Sequence, residues 1–206
     1  MKKTTLLIAD DHAVVRMGLA ALLGVQPDFA IVGQAKDGEQ AVRETVRLNP
    51  DVVVMDLLMP KVDGAEATRL LSARAPRARV LVLTSCATSD GIAQALEAGA
   101  AGAVMKSAEN AELVSAIRKV AAGERYVSPE IQQLMDTDPP VAPLTERQIE
   151  VLHSLTRGLT NRDIASQLGI SVRSVEEHVN KLLEKIGATN RAEAVGIALR
   201  KHLLKI

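Results

Sequence analysis

Four short, almost wholly apolar runs in the first half of the chain lead into residues whose side chains carry chemistry. Thr4-Thr5-Leu6-Leu7-Ile8-Ala9 leads to Asp10 and Asp11, Val52-Val53-Val54-Met55 to Asp56, Val80-Leu81-Val82-Leu83 to Thr84, and the run at 102–105 to Lys106. The stretch 52–55 has no polar alternation, which suits a strand buried on both faces. Strand-like runs at 4–9, 29–35, 52–55, 79–84 and 102–105 alternate with helical periodicity near 13–23, 39–48, 64–75, 89–98 and 110–122. This alternation predicts a parallel sheet with helices on both faces, whose functional loops gather at the carboxyl ends of the strands.

The residue types at those ends belong together chemically. Three clustered carboxylates repel one another, and a hard divalent cation with oxygen ligands relieves the repulsion. An aspartate can act as nucleophile toward phosphorus and form an aspartyl-phosphate. A metal and an ammonium then neutralise charge on the transferring oxygens. In this reading Asp56 is the nucleophile, Asp10 and Asp11 hold metal, Lys106 pairs with phosphate and Thr84 hydrogen-bonds it. Each residue alone would be an ordinary loop former; five at the ends of four such runs form a set.

Ile8-Ala9-Asp10-Asp11-His12, Met55-Asp56-Leu57-Leu58-Met59-Pro60 with Asp63-Gly64, Leu83-Thr84-Ser85, and Gly99-Ala100-Ala101-Gly102 leading to Lys106 resemble the receiver domain of two-component response regulators. The resemblance covers roughly residues 4–122. It implies a flavodoxin-like, doubly wound, five-stranded parallel sheet, Mg2+ as cofactor, and phosphorylation of Asp56 by a sensor histidine kinase. It also implies that the backbone carbonyl of Leu58 joins Asp10, Asp11 and Asp56 as a metal ligand. One position departs from the pattern: receivers usually carry Tyr or Phe three residues before the lysine, and here that residue is Ala103. Phe29 and Tyr126 are the chain's only aromatic residues, so the usual switching ring has no evident substitute.

At 206 residues the chain can hold two small domains. No apolar stretch approaches a membrane span, and Met1-Lys2-Lys3 runs straight into a strand without a signal-peptide core, so a cytoplasmic protein with no membrane partner is expected. The single cysteine, Cys86, excludes an intrachain disulfide framework and reads as a small filler near the pocket. His12 is expected to shape the first loop, His178 to pack within its helix, and His153 and His202 to lie at the surface. Histidine metal-site spacing is absent. The zero net charge divides unevenly: residues 1–140 hold 15 Lys/Arg against 18 Asp/Glu, residues 141–206 hold 10 against 7. Gly123, Ser128-Pro129, Asp138-Pro139-Pro140 and Pro143 mark 123–141 as an interdomain linker, within which 129–135 has the makings of a short helix. The expected division is thus 1–122, linker 123–141, and 142–206.

Past the linker the apolar period changes to 3.6. Thr145 caps a helix with Ile149, Leu152 and Leu155 on one face, and Thr160 caps a second with Ile164, Ala165 and Leu168. A turn at Gly169-Ile170-Ser171 leads into a third helix with Val175, Val179, Leu182 and Ile186 as its stripe, and Asn190 begins a fourth. This is helix-turn-helix patterning within an all-α domain. Leu144-Thr145-Glu146-Arg147, Gly158-Leu159-Thr160-Asn161, Leu168-Gly169-Ile170-Ser171, Val175, His178-Val179 and Lys185-Ile186 resemble the four-helix DNA-binding domain of NarL/FixJ-type regulators and LuxR proteins over roughly 144–198. Double-stranded DNA is the implied partner. Members commonly carry Lys after the recognition-helix valine, whereas Val175 is followed by Glu176 and Glu177. Arg162, Arg173, Lys181, Lys185 and Arg191 are the available cations. Arg162, Arg173, Ser174, Glu176, Glu177, Asn180 and Lys181 are the candidate DNA contacts, a glutamate being able to accept from cytosine N4 and an asparagine to pair with adenine. Pairing of helix-turn-helix proteins on two half-sites suggests a homodimer, to which Val195, Leu199 and Leu203 can contribute.

The expected function is a phosphorylation-controlled transcription regulator that catalyses only its own Mg2+-dependent phosphorylation and dephosphorylation, and no reaction on an outside substrate. Two other classes compete. A haloacid-dehalogenase-like phosphatase wants a second acid two residues after its nucleophile, where this chain has Leu58. A signalling adaptor would use the second domain, with its Glu176-Glu177 pair, to bind protein instead of DNA.

Overall fold

The computed structural model describes residues 3–85, 88–142, 144–201 and 203–204. Cys86 and His202 lie outside them. The chain divides into two compact units, Met1–Asp138 and Pro139–Ile206.

In the first unit β1 (Thr4–Ala9), β2 (Phe29–Ala35), β3 (Val52–Asp56), β4 (Arg79–Thr84), β5 (Gly102–Met105) and β6 (Tyr126–Val127) form one sheet in the order β2-β1-β3-β4-β5-β6. Every neighbouring pair is parallel. The helices α1 (Ala13–Gly24), α2 (Gly38–Leu48), α3 (Gly64–Arg74), α4 (Ser89–Glu97) and α5 (Asn110–Ala122) follow the first five strands in turn. Because consecutive side chains of a strand point to opposite faces, the apolar runs feed two cores. Leu7, Val53, Met55, Val80, Val82 and Ala103 pack in one core. Leu6, Ile8, Val52, Val54, Leu81 and Val104 pack in the other, with Leu113 and Ile117 of α5. All five residues of β3 are buried, as expected for a central strand covered on both sides. Asp37, Asp63 and Thr88 cap the starts of α2, α3 and α4 by accepting from the N–H groups of Gln40, Glu66 and Gly91.

The sheet has six strands, one more than the sequence pattern suggests, and the stretch read as linker supplies it. Tyr126 and Val127 pair in parallel with Gly102 and Ala103, and α6 (Pro129–Thr137) follows. A two-residue strand has too little alternation to be visible as a strand. Ser128 and Pro129 do not break structure here: the Ser128 hydroxyl accepts from Ile131 N–H, and a proline at the first helical turn gives up no hydrogen bond. Ser128 N–H donates to the carbonyl of Ala103, and Ile131 is fully buried in the same core as Ala103, Ile92 and Ala95. Residues 126–137 thus belong to the first unit, beside the position where the usual ring is missing. Tyr126 does not replace that ring; it packs with the other core and its hydroxyl donates to Glu112.

The second unit contains α7 (Glu146–Thr156), α8 (Asn161–Leu168), α9 (Val172–Ile186) and α10 (Arg191–Arg200). Val151, Leu152, Leu155, Ile164, Val175, Leu182, Ile186, Ala194 and Ile197 form its core. Thr145 with Gln148 and Thr160 with Asp163 make capping boxes at α7 and α8. Gly169, at φ +63°, ends α8 in the left-handed conformation that makes the tight turn possible, and Ser171 then caps α9. Ile149, expected in the core, is exposed, while Gln148 and Val151 are buried. Gln148 lies inward, where its Oε1 also accepts from Lys185, and Ile149, one residue on, falls on the exposed side.

Replacing Ile131 with alanine removes a fully buried side chain from the α6 contact and is expected to cost about 2–5 kcal/mol, read by urea unfolding of the full chain. A loss under about 1 kcal/mol would mean that α6 is not held by the core.

Candidate functional site

Strand register builds the pocket. Ala9 lies opposite Met55, so Asp10 and Asp56 leave adjacent strands side by side; Asp56 lies opposite Leu83, immediately before Thr84, and Thr84 lies opposite Met105, immediately before Lys106. Lys106 N–H donates to the Thr84 carbonyl at 2.7 Å, fixing the last of these ends. The four strand ends therefore present their first polar residues within one space.

Asp10 is 1 % exposed and Asp56 4 %. The Lys106 ammonium stands 2.5 Å from Asp10 Oδ2 and 2.9 Å from Asp56 Oδ2. Burial pushes the Asp56 carboxyl above its ordinary pKa against the pull of Lys106. Burial alone would lower Lys106, but Asp10 and Asp56 outweigh it and leave the ammonium above its ordinary value. Thr84 Oγ1 is buried without a hydrogen-bond partner, whereas Asp10 Oδ2 meets the Lys106 ammonium. A buried hydroxyl beside a charged pocket is placed to donate to an acceptor oxygen. Gly64, at the start of α3, packs so closely that a Cβ there would overlap the Asp56 carbonyl oxygen.

The carboxylates of Asp10, Asp11 and Asp56 and the imidazole of His12 each bring a potential ligand atom within 4.8 Å of the others. Three hard oxygen donors suit Mg2+, and the ammonium already between two of them marks where positive charge is stabilised. These residues fit the cation. Leu58, in the loop after β3, is half-exposed. His12 is closer to the acids than its role as loop former requires: its backbone N–H donates to Asp10 Oδ1 at 2.8 Å, and Nδ1 lies 2.7 Å from Asp11 Oδ1. Arg16 escaped the sequence reading altogether. Its Nη1 donates to the carbonyls of Asp10 (2.7 Å) and Asp11 (3.2 Å), holding the acidic turn from the first turn of α1. A cation five residues after an acid at a helix start was the available signal.

In the second unit Arg173, Glu176, Glu177, Asn180 and Lys181 are exposed along α9, Ser174 is half-buried, and Arg162 is exposed on α8. Glu177 is no free acid, since Arg173 Nε lies 3.5 Å from its Oε1. Two expected cations are engaged inside the domain: Lys185 donates to Gln148 Oε1, and Arg191 donates to the Leu159 carbonyl. Sequence could not separate these from exposed cations, because their partners are 37 and 32 residues away. Among the described residues no helix is long and apolar enough to cross a membrane.

The response regulator receiver domain family matches residues 6–118, and the family of bacterial regulatory proteins of the luxR type matches 142–198. The chain is 36 % identical over 206 residues to the transcriptional regulatory protein LiaR of Bacillus subtilis (strain 168), covering 96 % of this chain and 98 % of LiaR. It is 33 % identical to the response regulator protein VraR of Staphylococcus aureus (strain NCTC 8325 / PS 47), covering 97 % of this chain and 98 % of VraR. The crystal structure of the response regulator ChrA, from a heme-sensing two-component system, superposes with a TM-score of 0.60 at 36 % identity, covering 99 % of this chain and all of that one.

Lys106→Met is expected to cost on the order of 3 kcal/mol at pH 7 in metal-free buffer, because it leaves two buried carboxylates facing each other. Without the ammonium, Asp56 is raised further above its unfolded-state pKa, so the deficit appears above the carboxylate range and shrinks as pH falls through it. Urea unfolding of both proteins at pH 7 and pH 4 checks this; a gap that widens at pH 4 would contradict it.

Proposed function

Because the chain belongs to the two-component response regulators of the NarL/FixJ type, with a receiver domain and a LuxR-type DNA-binding domain, we propose that Asp56 accepts a phosphoryl group from a sensor histidine kinase and thereby controls transcription through α8 and α9. The observation that supports this most is the pairing of buried Asp56 and Asp10 with one ammonium, beside a buried threonine hydroxyl that has no hydrogen-bond partner.

An Asp56 carboxylate oxygen attacks the phosphorus of the kinase phosphohistidine, the O–P bond forms as the P–N bond breaks, and the imidazole leaves with the electron pair. Asp10, Asp11, Asp56 and the Leu58 carbonyl would hold Mg2+, which when bound neutralises charge on the phosphoryl oxygens. Lys106 offsets part of the burial that disfavours the acceptor carboxylate and pairs with the phosphoryl group once it arrives. Thr84 Oγ1 donates to a phosphoryl oxygen, gaining the partner it lacks. The chain turns over no outside substrate, and its place is the cytoplasm.

On DNA, Arg162, Arg173 and Lys181 contact phosphates, while Ser174, Glu176 and Asn180 face base edges. Glu177 orients Arg173. The protein binds as a homodimer, as two half-sites require.

Asp56→Asn is expected to abolish Mg2+-dependent incorporation of phosphate from acetyl phosphate, followed by phosphate-affinity electrophoresis and intact mass. Incorporation at the wild-type rate would move the nucleophile elsewhere. Replacing both Arg173 and Lys181 with alanine is expected to weaken binding to all DNA sequences and to lower the slope of log K against log salt by about 2. An unchanged slope in fluorescence-anisotropy titrations would remove both residues from the phosphate contacts.

A further inference from the structure

Lys61 and Asn49 are the described non-glycine residues with positive φ. Asn49, at +46°, ends α2, where asparagine takes the left-handed conformation readily. Lys61, at +69°, ends no helix; it lies in the loop between β3 and α3, in a conformation that L side chains resist. Its ammonium lies 2.9 Å from Asp37 Oδ2 and 3.7 Å from Glu39 Oε2. Asp37 is 5 % exposed, and its other carboxylate oxygen caps α2 by accepting from Gln40 N–H at 2.8 Å. Backbone meets backbone next to this pair, where a Cβ on Gly38 would overlap the Val62 carbonyl oxygen.

Sheet order gives the pair its significance. Asp37 follows β2 and Lys61 follows β3, while β1, which carries Asp10 and Asp11 at its end, runs between them. The ion pair therefore ties together the two loops that flank the acidic turn. The loop after β3 is held again where Gly64 N–H donates to the Leu57 carbonyl at 2.9 Å, and internally where Val62 N–H donates to the Pro60 carbonyl at 2.9 Å. Leu58 lies inside the span fixed at both ends.

We infer that Lys61 is a positioning residue for cation binding: through Asp37 it straps the loop after β3 so that the Leu58 carbonyl is presented toward Asp10, Asp11 and Asp56. This rests on the reading of that pocket as a Mg2+ site. Cation affinity depends on how well its oxygen donors are held by their surroundings, and loss of an outer support commonly weakens it by about 10- to 100-fold. The Lys61 side of the pair is largely exposed, and Asp37 keeps its Gln40 N–H bond when the ammonium is removed, so the loss bears less on global stability than on the loop. Affinity and stability should therefore respond differently to its removal.

The test is calorimetric titration of the full chain with MgCl2, alongside urea unfolding, for the wild type, Lys61→Gly, Lys61→Arg, Asp37→Asn and the Lys61→Gly/Asp37→Asn double variant. Glycine accepts positive φ without strain, so Lys61→Gly deletes the strap while keeping the backbone shape. Its Mg2+ affinity is expected to fall about tenfold with the unfolding midpoint held or raised. Lys61→Arg should keep affinity within about threefold of wild type, Asp37→Asn should match Lys61→Gly, and the double variant should be no weaker than either single one. Mg2+ affinity of Lys61→Gly and Asp37→Asn within about twofold of wild type would overturn the strap and leave the pocket reading intact. A wild-type chain that takes up no Mg2+ would overturn the pocket reading and the strap with it.

Discussion

Two buried carboxylates on adjacent parallel strands repel each other, and much of the first unit is arranged around that repulsion. Asp10 and Asp56 share the Lys106 ammonium across 2.5 and 2.9 Å, and the lysine comes from a third strand end that register brings to the same place. Buried charges of one sign persist only where something of the opposite sign meets them. The fold supplies one such charge and leaves Thr84 Oγ1 without a hydrogen-bond partner. An acidic cluster, an ammonium and an unpartnered hydroxyl thus meet at one place.

Around this centre the supports come from outside the strands. Arg16 holds the carbonyls of the acidic turn from α1, and Gly64 lets α3 start directly against the acceptor strand. Lys61 and Asp37 join the loops on either side. On the α4 side of the sheet, where Ala103 leaves the ring position empty of an aromatic, α6 brings Ile131 into the same core. That helix ends at the residue before the unit boundary, so the segment filling this core is also the one that leads to the DNA-binding domain.

In the second unit, register matters less than capping. Thr145 and Thr160 each open a helix with a reciprocal side-chain box, whose third helical residue is buried at α7 and exposed at α8. Gln148 is buried for its cap and meets Lys185, which takes that lysine out of the set of free cations. Arg173 and Glu177, one turn apart on α9, form an ion pair that a count of charges along the recognition helix would record as a conflict.

Local pattern alone was enough for the five long strands, for the helices α1 to α5 and α7 to α10, and for the acids, hydroxyl and lysine at the strand ends, because each depends on periodicity, capping residues or order along the chain. Val52-Val53-Val54-Met55 could be read as a central strand from its composition, and Thr145, Thr160 and Asn190 as helix starts from the residues that follow them. Tertiary structure alone decided the rest. β6 is too short to show a period and exists because the edge of β5 is open to it. The strap of Lys61 with Asp37 across β1 and the packing of Ile131 beside Ala103 depend on which strands are neighbours, whereas the Arg16 bonds to the acidic turn are local. Lys185 and Arg191 are told apart from exposed cations by partners more than thirty residues away. Sequence determines what each segment can do by itself, whereas the distance between charges from different segments is set only when the sheet and the helical core close.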